Sequence, residues 1–326
     1  GDDSPDADLD AYLAAQLKTE ARDLDAGGGP LVLMVHGFLF NPKEPVRPLP
    51  KPTNNPHAWI FHFNAGFTVE ESWGHSTGWA ARLGFADTET DHGFAGLPIA
   101  FGWFSAPGFN VNVTQLNKNF YSDACALADV SALPFLHLLE RIAARLTNPI
   151  DIVAHSMGTQ LTITALLKAS DALLGRIGRV VLLGGSAYSA AGAALAQRLD
   201  ALAAGVEVFN IVNRTDRVLG DLARHFGPLP GEHDVVGYDG VGKRFDSWVS
   251  LRLDDKGLQR WAGLQVDPTA YALLSRMPDG KIANLILNHW AYYAHDGNMK
   301  LFAHLFRHRK LLSIATLRAK QIPEFI

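Results

Sequence analysis

Two segments of the chain place a serine between small residues in the pattern small-x-Ser-x-Gly. They are Gly74-His75-Ser76-Thr77-Gly78 and Ala154-His155-Ser156-Met157-Gly158. Such a serine can attack a carbonyl carbon when a strand runs into a sharp turn that opens directly into a helix. The turn needs small residues because its backbone is strained and closely packed, and the helix N-terminus brings positive dipole and free N–H groups to the reacting oxygen. Ser156 has that setting. Ile150-Asp151-Ile152-Val153 reads as a buried strand, and Gln160 to Leu167 continues as an apolar helix. Ser76 matches the letters more closely but follows Glu70-Glu71-Ser72-Trp73, which is no buried strand, and it reads as the N-cap of a helix through Trp79 and Leu83.

A tetrahedral intermediate also needs two converging backbone N–H groups for its oxyanion. Met157, next after the serine, supplies one. His36-Gly37-Phe38, a glycine turn directly after the strand-like Leu31–Val35, offers the second at Phe38. His36 precedes that turn and reads as a structural hydrogen-bonding residue rather than a base.

On His36-Gly37-Phe38, on Ala154-His155-Ser156-Met157-Gly158 and on the acid and base sites below, the chain resembles the α/β-hydrolase superfamily of esterases and lipases over roughly residues 31–310. Within it, the chain is similar to a little-characterised bacterial group. Trp103-Phe104-Ser105-Ala106-Pro107-Gly108 is similar to that group's strand-end Trp-Pro-Ser-x-Gly, with the proline displaced. The resemblance implies a Ser–acid–His triad in that chain order, and leaves the substrate open. Asp216, just after the strand-like Val206–Val212, stands where the acid belongs, with Asp221 as rival and with surface pairing to Arg214 or Arg217 as the structural alternative. Among the six histidines downstream, His289 follows the strand-like Ala283–Leu287, precedes a helix and is followed by aromatic residues. His295 is its rival. His304 and His308 lie one helical turn apart beside Arg307 and Arg309 and read as a solvated face, with no third ligand for a metal.

These residues must be carried by alternating strands and helices. The expected strands are Leu31–Val35, Pro98–Trp103, Ile150–Ala154, Val180–Leu183 and Val206–Val212. Between them lie helices near Ser76, over 117–146 (Pro134 marking a kink), Met157–Ala169 and Ala190–Ala204, and a last helix covers Met299–Leu312. Alternation implies an α/β fold, a mostly parallel sheet with helices on both faces. The expected division is an acidic arm and helix over 1–28 and one catalytic domain over 29–326. That domain holds a Pro-rich insertion at 38–75 and a stretch at 220–283 that breaks the rhythm and reads as a cap. On the long helix, apolar positions fall at Leu127, Val130, Leu133, Leu136, Leu139 and Ile142.

Composition narrows the function classes. The 326 residues are 48% hydrophobic and 19% charged with net charge -4, a globular composition. No Lys/Arg block is present, which argues against nucleic acid as a partner. No run approaches the 18 apolar residues of a membrane span, and no secretory leader pattern appears. A single cysteine, Cys125, cannot form an intrachain disulfide and leans the expected compartment toward the cytoplasm. Neither G-x-G-x-x-G nor a P-loop is present, and no cofactor is expected. The expected partner is a small ester with an apolar acyl or alcohol part, contacted by Leu39, Trp103 and Trp290. The same residues would serve an acyltransferase or thioesterase, and a non-catalytic binding protein is the alternative of a different class.

Overall fold

The computed structural model describes residues 29–44, 55–61, 78–85, 96–106, 118–223, 234–253, 288–293, 296–322 and 324–326. Six strands among them form one all-parallel sheet: β1 (Leu31–Val35), β2 (Leu97–Phe101), β3 (Ile150–His155), β4 (Ile177–Leu183), β5 (Glu207–Val212) and β6 (Trp248–Arg252). Their order across the sheet is β2-β1-β3-β4-β5-β6. The chain leaves β1 toward one edge, forms β2, and returns past β1 to build β3 and all later strands on the other side. The sheet therefore changes winding direction between β1 and β3, and the carboxyl ends of those two strands bound the crevice where a doubly wound sheet can accept a ligand.

The strands are apolar over most of their length because helices cover both faces. Side chains alternate between two cores. Leu31, Leu33 and Val35 of β1 enter one with α2 (Lys118–Ala143), α3 (Met157–Lys168) and α5 (Ser189–Leu202). Val32 and Met34 enter the other with α1 (Trp79–Arg82), α7 (Asp296–Arg307) and α8 (Ile314–Ala319). Short helices α4 (Asp171–Leu174) and α6 (Val236–Asp239) complete the pattern.

One expectation needs correction. The stretch at 220–283 is not simply a cap: within it, β6 pairs in register with β5, and α6 packs on the ends of β4 and β5, with Gly237 N–H donating to Gly185 O (2.9 Å). Ser250 and Arg252 disguise β6 in the sequence, yet buried Ser250 is satisfied by Asn210 Nδ2 (3.0 Å) and Trp248 Nε1 (3.2 Å). On α2, Val130 (72% exposed) and Leu133 (50% exposed) face outward, while Ala124, Ala128, Ala132, Phe135 and Leu139 are buried. α2 packs against α3, and small alanines let two helices approach closely where larger apolar residues would hold them apart. The helix also continues through Pro134, which lies on its exposed side.

Candidate active site

β3 ends at His155, and α3 begins at Met157. The single residue between them, Ser156, has φ 53° and ψ -123°. A non-glycine residue there costs on the order of 1–3 kcal/mol and persists only where its surroundings impose it. The surroundings are visible. Ser156 N–H donates to Leu183 O (2.9 Å), and Ser156 O accepts from Thr159 N–H (2.9 Å), Thr159 Oγ1 (2.7 Å) and Ser186 N–H (3.3 Å). Small neighbours are obligatory. A Cβ on Gly158 would lie 2.5 Å from His36 O and 2.9 Å from Val35 O, and one on Gly37 would lie 2.9 Å from Ser156 Cβ. The first turn and the serine turn are thus in direct contact at the switch between β1 and β3.

Ser156 Oγ lies 2.7 Å from His289 Nε2, and His289 Nδ1 lies 2.7 Å from Asp216 Oδ2. A carboxylate only accepts, so Nδ1 carries the proton and Nε2 is left to accept from the serine hydroxyl. All three residues are buried: Ser156 6%, His289 5% and Asp216 0% exposed. Asp216 Oδ1 is occupied by the backbone N–H groups of Val218 (3.0 Å) and Leu219 (3.2 Å), and Tyr292 Oη donates to Oδ2 (3.4 Å). The acid therefore presents one oxygen to the imidazole in a fixed direction.

The surface alternative for Asp216 does not hold. Arg214 pairs with Asp239 (3.2 Å), and Arg217 pairs with Asp221 (3.1 Å), which leaves the rival Asp221 half-exposed and engaged elsewhere. His289 sits on a helical turn over 288–293. Ser76 and His295, the rivals for nucleophile and base, lie outside the described residues, as do residues 1–28 and the strand-like 283–287.

The turn carrying Phe38 is built from two strand ends. His36, fully buried, donates from Nδ1 to Gly37 O (2.8 Å) and accepts at Nε2 from Trp103 N–H (3.0 Å). Burial pushes its pKa down to about 3, so the ring stays neutral. Beyond it, Ser105 N–H donates to Phe40 O (2.9 Å), Phe40 N–H donates to Ser105 Oγ (2.9 Å), and Leu39, at φ 76°, donates to Ser105 O (3.3 Å). Phe38 and Leu39 are half-buried on this turn, Met157 is the first residue of α3, where a backbone N–H has no intrahelical carbonyl to bond, and half-buried Trp290 follows His289.

Trp103 departs from the expected substrate contact. It is 3% exposed, stacks on His36 (5.6 Å, 14° between ring planes) and donates from its indole N–H to His36 O (2.8 Å). It braces the turn from within. Sequence reasoning also missed the clamp joining acid and base. Asn213 Oδ1 accepts from Thr215 N–H (3.0 Å) and Oγ1 (2.7 Å), and Asn288, next to His289, donates from Nδ2 to Thr215 O (3.0 Å). An Asn two residues before a turn Thr is a readable turn signal, but its long-range partner is not.

No family model matches the chain, and no curated protein matches it.

Proposed function

We propose that this chain is a serine-dependent carboxylic ester hydrolase of the α/β-hydrolase superfamily. The observation that carries the reading is the unbroken, buried hydrogen-bond chain Ser156–His289–Asp216 at the carboxyl end of the sheet. Ser156 Oγ attacks the acyl carbon as His289 Nε2 takes its proton, and Asp216 holds the imidazole tautomer and offsets the charge of the imidazolium. The Phe38 and Met157 N–H groups receive the oxyanion. His289 then protonates the departing alkoxide, which leaves as the alcohol. A water that gives its proton to His289 cleaves the acyl-serine, releasing the acid and restoring Ser156. No step of this scheme calls on a cofactor. Phe38, Leu39 and Trp290 favour an apolar acyl or alcohol part.

A fluorophosphonate probe followed by peptide mapping tests the assignment. Labelling at Ser156, absent in Ser156→Ala and slowed about 10³- to 10⁴-fold in Asp216→Asn, is the expected result. Full labelling of Ser156→Ala, or modification at Ser76, overturns it. A series of p-nitrophenyl esters, acyl-CoA thioesters and alcohol acceptors then separates hydrolysis from acyl transfer.

A further inference from the structure

His155 takes no part in the steps above, yet it is the residue that joins nucleophile and base through the protein. It is 3% exposed at the end of β3, one peptide bond before Ser156. Its Nε2 lies 2.9 Å from His289 O. A carbonyl oxygen only accepts, so Nε2 carries the proton and donates. The two imidazole centroids are 4.7 Å apart, and the His155 ring meets Tyr293 edge-on at 4.8 Å.

These contacts close a ring. From Ser156 Oγ it passes to the His289 imidazole, through the His289 backbone to its carbonyl, across to the His155 imidazole, and through the His155 backbone to Ser156. The separation of Ser156 Oγ and His289 Nε2 is therefore held at both ends. The helical residues 288–293 carry both the His289 imidazole and the His289 carbonyl, so a cross-link at the carbonyl bears directly on where the imidazole sits. The donor must also be uncharged, because a cation 4.7 Å away would oppose formation of the His289 imidazolium. Burial provides this, lowering the His155 pKa well below that of an ordinary histidine.

Resting on the serine-hydrolase reading, we infer that His155 is a positioning residue for the proposed reaction: a neutral donor that fixes the His289 carbonyl and with it the Ser156–His289 distance. An offset of about 1 Å between reacting groups costs on the order of 100-fold, so loss of the donor should act on the chemical step and leave substrate binding alone.

The test compares His155→Phe, which keeps ring volume without a donor, with His155→Gln, whose amide nitrogen reaches about as far as Nε2. In His155→Phe, kcat for p-nitrophenyl butyrate and the fluorophosphonate labelling rate fall roughly 10- to 100-fold, with KM within about threefold. His155→Gln recovers most of the loss. Should His155→Phe fail to fold, His155→Asn carries the same arm, since its donor stops short of the carbonyl. Independently of any substrate, the downfield His289 Nδ1–H resonance broadens in the Phe or Asn variant and persists in the Gln variant. Wild-type rates in His155→Phe, or equal losses in Phe and Gln, overturn the inference. A wild-type chain that neither labels nor cleaves esters overturns the serine-hydrolase reading instead, and the His289 resonance then decides the positioning role by itself.

Discussion

Three histidines surround the serine, and their environments separate their work. His289 faces a carboxylate on one nitrogen and a hydroxyl on the other, the arrangement a general base requires. His36 and His155 are buried among aromatic rings, and both are held neutral by that burial. This has a consequence for acid stability. Their folded pKa values lie below the unfolded value of 6.5, so the unfolded chain binds more protons as pH falls below about 6.5, and the stability tied to His36 is lost toward about 3. His36→Gln removes one such group. Its stability deficit relative to wild type, measured by urea unfolding, is expected to be largest near pH 7 and to shrink steadily toward pH 4. A constant deficit across that range would show that His36 titrates normally.

The serine turn and the glycine turn work as a single element pair, because neither can move without meeting the other's backbone. Gly158→Ala places a methyl 2.5 Å from His36 O, a backbone atom that cannot rotate away. Overpacking of this kind costs about 1–3 kcal/mol. The displaced turn also carries Phe38, so fluorophosphonate labelling should slow even at temperatures where the protein stays folded. Circular dichroism melts and labelling rates on the same sample check both halves. A variant with wild-type stability and labelling would mean that the β1 and β3 ends are looser than their contacts imply.

At the opposite end of the sheet, a buried ion network ties the last helices to the core. Arg179 on β4 is 1% exposed and bonds Glu207 on β5 through Nε (2.9 Å) and Nη2 (2.6 Å). The same guanidinium donates to Leu305 O and to Arg309 O (2.7 Å) at the end of α7, and Glu207 Oε1 accepts from Ile314 N–H (2.7 Å) at the start of α8. Asp151 joins through Arg309 and Arg179 N–H (2.7 Å). Glu207→Gln leaves a buried guanidinium without its charge partner, which costs about 3–5 kcal/mol. Chemical denaturation should show that loss, while Ser156 labelling in the folded protein stays at the wild-type rate because the network lies across the sheet from the site. Loss of labelling without loss of stability would link the two ends in a way these contacts do not explain.

Local pattern was enough to mark what is local. Apolar runs marked β1, β3, β4 and β5 to within a few residues, and strand–turn–helix context singled out Ser156 because strain and dipole are properties of neighbouring residues. Asp216 and His289 needed more than pattern, since many carboxylates and histidines follow strands. Only the tertiary structure decides that they meet Ser156, for their hydrogen bonds span more than 70 positions in the chain. The same limit explains the misses. β6 is a short segment broken by Ser250 and Arg252, and becomes a strand through pairing with β5 and the partner Asn210 for Ser250. Apolar spacing marked α2 as a helix, but which of its faces is buried was decided by packing, with Ala124, Ala128 and Ala132 inward and Val130 and Leu133 outward. Trp103 looks like a site residue by position, and becomes a support because stacking and a hydrogen bond to His36, a distant segment, turn it inward. Residue type and spacing set which chemistry was available, and packing between distant segments set which residues were brought to it.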